Sequence, residues 1–129
     1  MKALIVEDDP HLSFTWKETL EDTGFECFCV SSTKEATACA LRARYDLYVL
    51  DLFVEDGNTV SLSDWIAIRH PGASILMVTG SGMFAQGDHT QVASGVSWLL
   101  RKPINVSDLA AVAEYLAGRS GREVSQHPA

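Results

Sequence analysis

No apolar run in this chain approaches the length of a membrane span. Each breaks off within a few residues, whereas a spanning helix needs about 20. The amino-terminal Met1-Lys2-Ala3 leads at once into the first apolar run, with no room for a charged leader and an apolar export segment. A cytoplasmic location is the expectation. Cysteine is scarce and odd in number: Cys27, Cys29 and Cys39. Four scattered histidines add no cluster of soft metal ligands, so neither a disulfide framework nor a zinc site is expected. Reduced, buried thiols acting as small apolar groups are the reading. Positive charge is also scarce. Ten Lys and Arg face seventeen Asp and Glu, for a net charge of −7, which argues against a nucleic-acid surface. There are no internal repeats.

The chain does have enough apolar material for one packed domain: 129 residues, 47% of them hydrophobic. Short apolar runs alternate with helical patterns. Strands are expected at about 2–7, 25–30, 46–50, 74–79 and 96–100. Helices are expected at about 10–22, from Ser32 or Thr33 onward, at about 59–69 and at about 106–117. In the first helix, Leu12, Trp16 and Leu20 recur at four-residue spacing, with Asp9 as cap and Pro10 in the first turn. Ser107 or Asn105 caps the last helix, Leu109, Val112, Ala113 and Leu116 face inward, and Gly118 ends it. The segment 80–95 contains Gly80, Gly82, Gly87 and Gly95, so only a turn or two of helix is expected there, from Asp88 to Ser94. This alternation gives an α/β fold, a flavodoxin-like three-layer sandwich with a five-stranded parallel sheet in the order 2-1-3-4-5 and about five helices.

Four strand ends carry the chemistry. The first runs into Glu7-Asp8-Asp9, the third into Asp51, the fourth into Thr79-Gly80 and the fifth into Arg101-Lys102-Pro103. Ligand sites of open parallel sheets lie beyond the carboxyl ends of the strands, so carboxylates, a hydroxyl and an ammonium should share one crevice. Mg²⁺ takes oxygen ligands and keeps several waters, using one or two carboxylates together with phosphate oxygens. An aspartate can attack phosphorus to form an acyl phosphate. A transferring phosphoryl group needs cations more than covalent help. The plainer alternatives are helix capping by the acidic triplet, an ordinary turn aspartate at Asp51, a strand-end threonine at Thr79, and a merely neutralising Lys102. Glu55 and Asp56 read as solvated loop residues with no part in the site. His11, His70, His89 and His127 read as surface or loop residues, none of them a phosphodonor.

The motifs Ile5-Val6-Glu7-Asp8-Asp9, Tyr48-Val49-Leu50-Asp51-Leu52, Val78-Thr79-Gly80 and Lys102-Pro103, in this order, resemble those of the receiver domain of two-component response regulators. The resemblance covers about residues 2–117. It implies a receiver domain over 1–118, with 119–129 as a mobile tail. It also implies Asp51 as phosphoacceptor, and Mg²⁺ bound by Glu7, Asp8, Asp51 and the backbone carbonyl of Phe53. Thr79 would be the switch hydroxyl and Lys102 the phosphate-binding lysine. A cis Lys102–Pro103 peptide is implied as well. The implied partners are a histidine kinase or histidine phosphotransfer protein and a downstream protein target, with no nucleic acid and no membrane. The domain would catalyse its own phosphorylation and dephosphorylation, either standing alone or as a fragment of a larger regulator.

Two features depart from the family pattern. Glu55 stands where a proline is usual, and Leu99 stands where an aromatic is usual, with Trp98 on the opposite face of its strand. The expected switch is then an order–disorder transition of residues 80–95 that exposes Met83 and Phe84. A degenerate receiver acting only through contacts is the alternative function. An Asp-nucleophile phosphatase would need a second Asp where Phe53 stands, and a flavodoxin's phosphate would be repelled by Glu7-Asp8-Asp9.

Overall fold

The structure is a computed structural model that describes residues 1–80 and 95–126, the last seven of these through their backbone alone. The strands β1 (Lys2–Val6), β2 (Glu26–Val30) and β3 (Leu47–Asp51) alternate with α1 (Pro10–Asp22) and α2 (Thr33–Arg42). A two-stranded hairpin, β4 (Phe53–Val54) with β5 (Gly57–Asn58), follows. Helix α3 (Val60–Arg69), β6 (Ser74–Thr79), β7 (Trp98–Arg101) and α4 (Val106–Gln126) complete the described elements. The main sheet is parallel, in the order β2-β1-β3-β6-β7. That is the expected 2-1-3-4-5 arrangement, with four helices among the described residues. The helical turns expected from Asp88 to Ser94, with the rest of 81–94, lie outside them.

Side chains of the central strands alternate between two cores because neighbouring residues on a strand point to opposite faces. Ala3, Ile5, Leu47, Val49, Leu76 and Val78 pack beneath α1 and α4, against Trp16, Leu20, Leu109, Ala113 and Leu116. Leu4, Val6, Tyr48, Leu50, Ile75 and Met77 pack beneath α2 and α3, against Ala36, Ala40, Leu62 and Ile66. With both faces covered, β1 and β3 are apolar along nearly their whole length.

The caps explain where the helices begin. The Asp9 carboxylate accepts from the N–H groups of His11 and Leu12 at 2.9 and 3.3 Å, and Pro10 occupies the first turn, where its missing N–H costs nothing. Ser32 caps α2 through Glu35 N–H, and Asn105 Oδ1 accepts from Ser107 N–H at 2.7 Å. Helix α4 does not stop at Gly118 but continues to Gln126, so the residues expected to form a separate tail are helical that far. A helical glycine costs only about 1 kcal/mol, and the Arg119 guanidinium lies over the Tyr115 ring one turn back, at 5.9 Å. The last strand sits at 98–101 rather than 96–100, which leaves Val96 and Ser97 to lead into it. The thiols are not all buried. Cys27 is buried, and burial first of all pushes its thiol up to about 12. Cys29 is exposed at the end of the edge strand β2, and Cys39 is half-buried.

Gly95 has a steric reason. A Cβ built there would lie 2.4 Å from the Cβ of Ala67 on α3. Gly95→Ala should therefore destabilise the fold by about 1–3 kcal/mol, the usual cost of overpacking, read as a lower urea midpoint with an unchanged slope. Ala67→Gly in the same chain should recover part of that loss. A Gly95→Ala chain as stable as the parent would show that this contact is slack.

Candidate functional site

The sheet register sets the site. β1 and β3 are neighbours with Val6 opposite Leu50, so the next residues, Glu7 and Asp51, come to rest side by side. Asp8 follows at the start of the β1–α1 loop. One carboxylate oxygen from each of Glu7, Asp8 and Asp51 lies within 4.8 Å of the others. Glu7 and Asp51 are 2% and 5% exposed, while Asp8 is open to solvent. On the other side of β3, Asp51 is level with Val78, and Thr79 is the residue beyond. From past the end of β7, Lys102 extends its ammonium to Asp51 Oδ2 at 2.9 Å and Glu7 Oε1 at 3.2 Å. Its own N–H donates to the Thr79 carbonyl at 2.7 Å, and the Lys102–Pro103 peptide is cis. Glu7, Asp8, Asp51 and Lys102 thus converge on one crevice, and the Thr79 backbone carbonyl is tied to Lys102 beside it.

The charges are unbalanced in a way that would suit a cation. Burial raises the Glu7 carboxyl to about 7; the Asp9 N–H works against this, while the neighbouring Asp51 and Asp8 add to it. Burial also works against the charge of Lys102, but the hydrogen bond and charge of Asp51, joined by Glu7, outweigh it and hold the ammonium above the usual lysine range. Glu7 Oε2 accepts from Asp9 N–H at 3.1 Å. Glu7 Oε1 is buried, and the Lys102 ammonium at 3.2 Å is its one partner among the described residues. A buried carboxylate whose Oε1 faces a single ammonium, beside two further carboxylates, fits a hard divalent cation such as Mg²⁺. Glu7, Asp8 and Asp51 are the side chains that could hold it. Phe53 stands two residues past Asp51, at the start of β4, with its ring half exposed.

Thr79 is fully buried, and among the described residues its hydroxyl has no hydrogen-bond partner. Trp98 and Leu99 face opposite sides of β7: Trp98 stacks edge-on with Tyr115 on the outside, and Leu99 packs toward the α2–α3 core. The order–disorder expectation for 80–95, with Met83 and Phe84, falls on residues 81–94, which lie outside the described residues.

Sequence reasoning missed three residues. Asp56 accepts from Thr33 N–H at 2.9 Å, the Thr33 hydroxyl at 2.8 Å and Lys34 N–H at 3.1 Å. The Thr33 N–H foremost holds its carboxyl below the usual range. Glu55 Oε1 lies 3.1 Å from the Ser31 hydroxyl, whose one proton it shares with Glu35 Oε1 at 3.0 Å. The two are exposed, as expected, yet they fasten the β4–β5 hairpin to the start of α2. Gly57 makes the hairpin's turn possible with φ 129°, a conformation that side chains rarely adopt. The third residue is Thr59, whose hydroxyl donates to the Asp51 carbonyl at 2.9 Å. The Asp-Gly pair at 56–57 was a readable turn signal; nothing in the one-dimensional pattern pointed to Thr59.

Comparison with known proteins gives a consistent picture. Residues 3–114 match the family model described as the response regulator receiver domain. The chain is 29% identical over 108 residues to the response regulator protein PilR of Pseudomonas aeruginosa, which covers 84% of this chain and 24% of PilR. It is 39% identical over 115 residues to the transcriptional regulatory protein CrdR of Helicobacter pylori, covering 85% of this chain and 52% of CrdR. The chain thus spans between a quarter and about half of these relatives. Among solved structures it resembles the signal receiver domain of a LuxO repressor protein from Vibrio parahaemolyticus, with a TM-score of 0.84 and 25% identity over 95% of this chain and 93% of that one. A CheY-like receiver domain from Methanospirillum hungatei JF-1 shares the fold with a TM-score of 0.85 at 24% identity, over 95% of this chain and 97% of that one.

The acidic cluster makes a linked forecast for pH and metal. The folded-state pKa of Glu7 is raised from 4.5 to about 7. Its contribution to stability is therefore complete below about pH 4.5 and is lost as pH rises through about 7. A cation competes with protons for the same oxygens. Millimolar Mg²⁺ should then stabilise the chain by about one to a few kcal/mol at pH 8, and by clearly less at pH 5. Melting curves with Mg²⁺ and with EDTA at both pH values test this. Equal, negligible shifts would count against cation binding here.

Proposed function

The chain belongs to the response regulator receiver domain family, and we propose that it accepts a phosphoryl group on Asp51 from a histidine kinase or histidine phosphotransfer protein and signals through protein contacts. The observation that carries this reading is the Thr79 hydroxyl. It is buried without a partner among the described residues, one residue beyond the register position of Asp51, and a phosphoryl oxygen carried on Asp51 would offer it an acceptor.

An Asp51 oxygen would form the new P–O bond as the donor's phosphohistidine P–N bond breaks, and the imidazole would leave with a proton. Mg²⁺, held by Glu7, Asp8, Asp51 and the Phe53 carbonyl, would neutralise charge on the transferring group. Lys102 would move its ammonium from the Asp51 carboxylate to a phosphoryl oxygen and supply the second cation. The site's charge suits this reading better than a flavodoxin, whose phosphate the three carboxylates would repel. The domain would carry out its own phosphorylation and dephosphorylation, in the cytoplasm.

Incubation with acetyl phosphate and Mg²⁺ should add one phosphoryl group by intact mass, and Asp51→Asn should add none. Labelling that persists in that variant would refute the assignment of Asp51. Lys102→Met removes the cation that competes for Asp51 and Glu7. It should bind Mg²⁺ at least as tightly as the parent, yet accept the phosphoryl group more slowly by on the order of a hundredfold, as when a charge-stabilising group is lost from an active site. An unchanged rate would leave Lys102 as a neutralising partner only.

A further inference from the structure

Thr59 occupies the cap position of α3 but does not cap it. A threonine there would ordinarily turn its hydroxyl onto an N–H of the first turn. In this chain Asn58 Oδ1 takes the Val60 N–H at 3.1 Å, and the Thr59 hydroxyl points back to the Asp51 carbonyl at 2.9 Å. The Leu52 carbonyl and Met77 Sδ are more distant, both at 3.5 Å. The residue is fully buried. Its N–H donates to the Leu52 carbonyl at 2.9 Å, so Thr59 closes the hairpin segment with two bonds.

The effect falls on one peptide unit. The Asp51–Leu52 peptide has its carbonyl held by the Thr59 hydroxyl, and its N–H donates to the Val78 carbonyl at 2.8 Å. Its plane is therefore fixed from both sides. The backbone of Asp51, and the start of β4 that carries Phe53, cannot rotate without breaking a buried hydrogen bond, which is costly when the polar group left behind stays out of water. A hydroxyl has a single proton to give, and here it goes to the residue whose carboxylate the acidic site is built around.

We infer that Thr59 is a positioning residue for the Asp51 site, locking the peptide that follows Asp51 so that the carboxylate and the Phe53 carbonyl present a preformed geometry to cation and phosphoryl group. This deepens the phosphoacceptor reading and rests on it.

Three variants separate hydroxyl from shape: Thr59→Val keeps the shape and loses the O–H, Thr59→Ala loses both, and Thr59→Ser keeps the O–H. For each, the Mg²⁺ dissociation constant by calorimetry and the initial rate with acetyl phosphate at saturating Mg²⁺ are compared with the parent, alongside urea melts in EDTA. The Val and Ala variants should lose about 10- to 100-fold in rate or in Mg²⁺ affinity, the usual cost of removing a group that orients a ligand, and Ser should return close to the parent. The inference is overturned if Val and Ala match the parent in both quantities, or if Ser is as impaired as Val. Should Val fail to fold, the Ala–Ser pair decides. If the parent itself takes no phosphoryl group, the phosphoacceptor reading fails, and the Mg²⁺ affinities still decide whether Thr59 positions the cluster.

Discussion

Two parallel strands in register, β1 and β3, bring a glutamate and an aspartate to the same height at their carboxyl ends, with a second aspartate one residue on. Like charges at such separations repel strongly once water is partly excluded. The rest of the upper face of the molecule is arranged around that repulsion. A proton on Glu7, the ammonium of Lys102 or an added cation can each relieve it, and burial first of all, with Asp51 and Asp8 adding to it, raises the Glu7 carboxyl even beside Lys102. The apolar strands below make the arrangement rigid. Leu4, Ile5, Val6, Val49 and Leu50 are fully buried, so the carboxylates cannot separate without tearing the core.

The loops around the cluster are tied to one another rather than left free. Asp9 caps α1 and gives its N–H to Glu7. Asp56 and Glu55 reach from the hairpin to Ser31, Thr33 and Lys34 at the head of α2. Lys102 N–H bonds the Thr79 carbonyl, joining the ends of β6 and β7. Exposed carboxylate bonds of this kind contribute little to global stability. Their effect is local, holding the turns that present Asp8, Asp51 and Lys102 in one geometry before any ligand arrives.

The fold and the charged residues were legible in the sequence because both leave one-dimensional marks. Buried parallel strands read as apolar runs, helix starts carry Asp9, Ser32 and Asn105, and ligand sites fall at strand ends. What escaped depends on tertiary neighbours. Thr59 looks like any helix-start threonine until the hairpin brings the Asp51 carbonyl to it. Asp56 looks like a turn residue until α2 lies opposite. Cys29 alternates with Cys27 as a core residue would, but β2 is an edge strand and its end is open. Gly118 carries a helix-stop signal that a single glycine, with Arg119 resting on Tyr115, is too weak to enforce. Gly95 reads as a helix breaker, whereas its steric role is to let the chain pass Ala67.

The two threonines of the site differ in what they already hold, and this bears on how occupancy of Asp51 could be transmitted. Thr59 spends its proton on the Asp51 carbonyl; turning away would break a buried bond. Thr79 has none to break among the described residues. A buried hydroxyl without a partner costs about 1–3 kcal/mol, so an acceptor appearing on Asp51 would recover much of that cost. The gain would go to the phosphorylated form, because among the described residues Thr79 has no other acceptor. An outward aromatic cannot follow such a movement directly: Trp98 lies on the far face of β7, stacked on Tyr115. Leu99, on the inner face and level with Met77 of β6, can respond only by packing. In the proposed function, then, the conformational bias originates at Thr79 on a frame that Thr59 keeps still, and its coupling to β7 is steric.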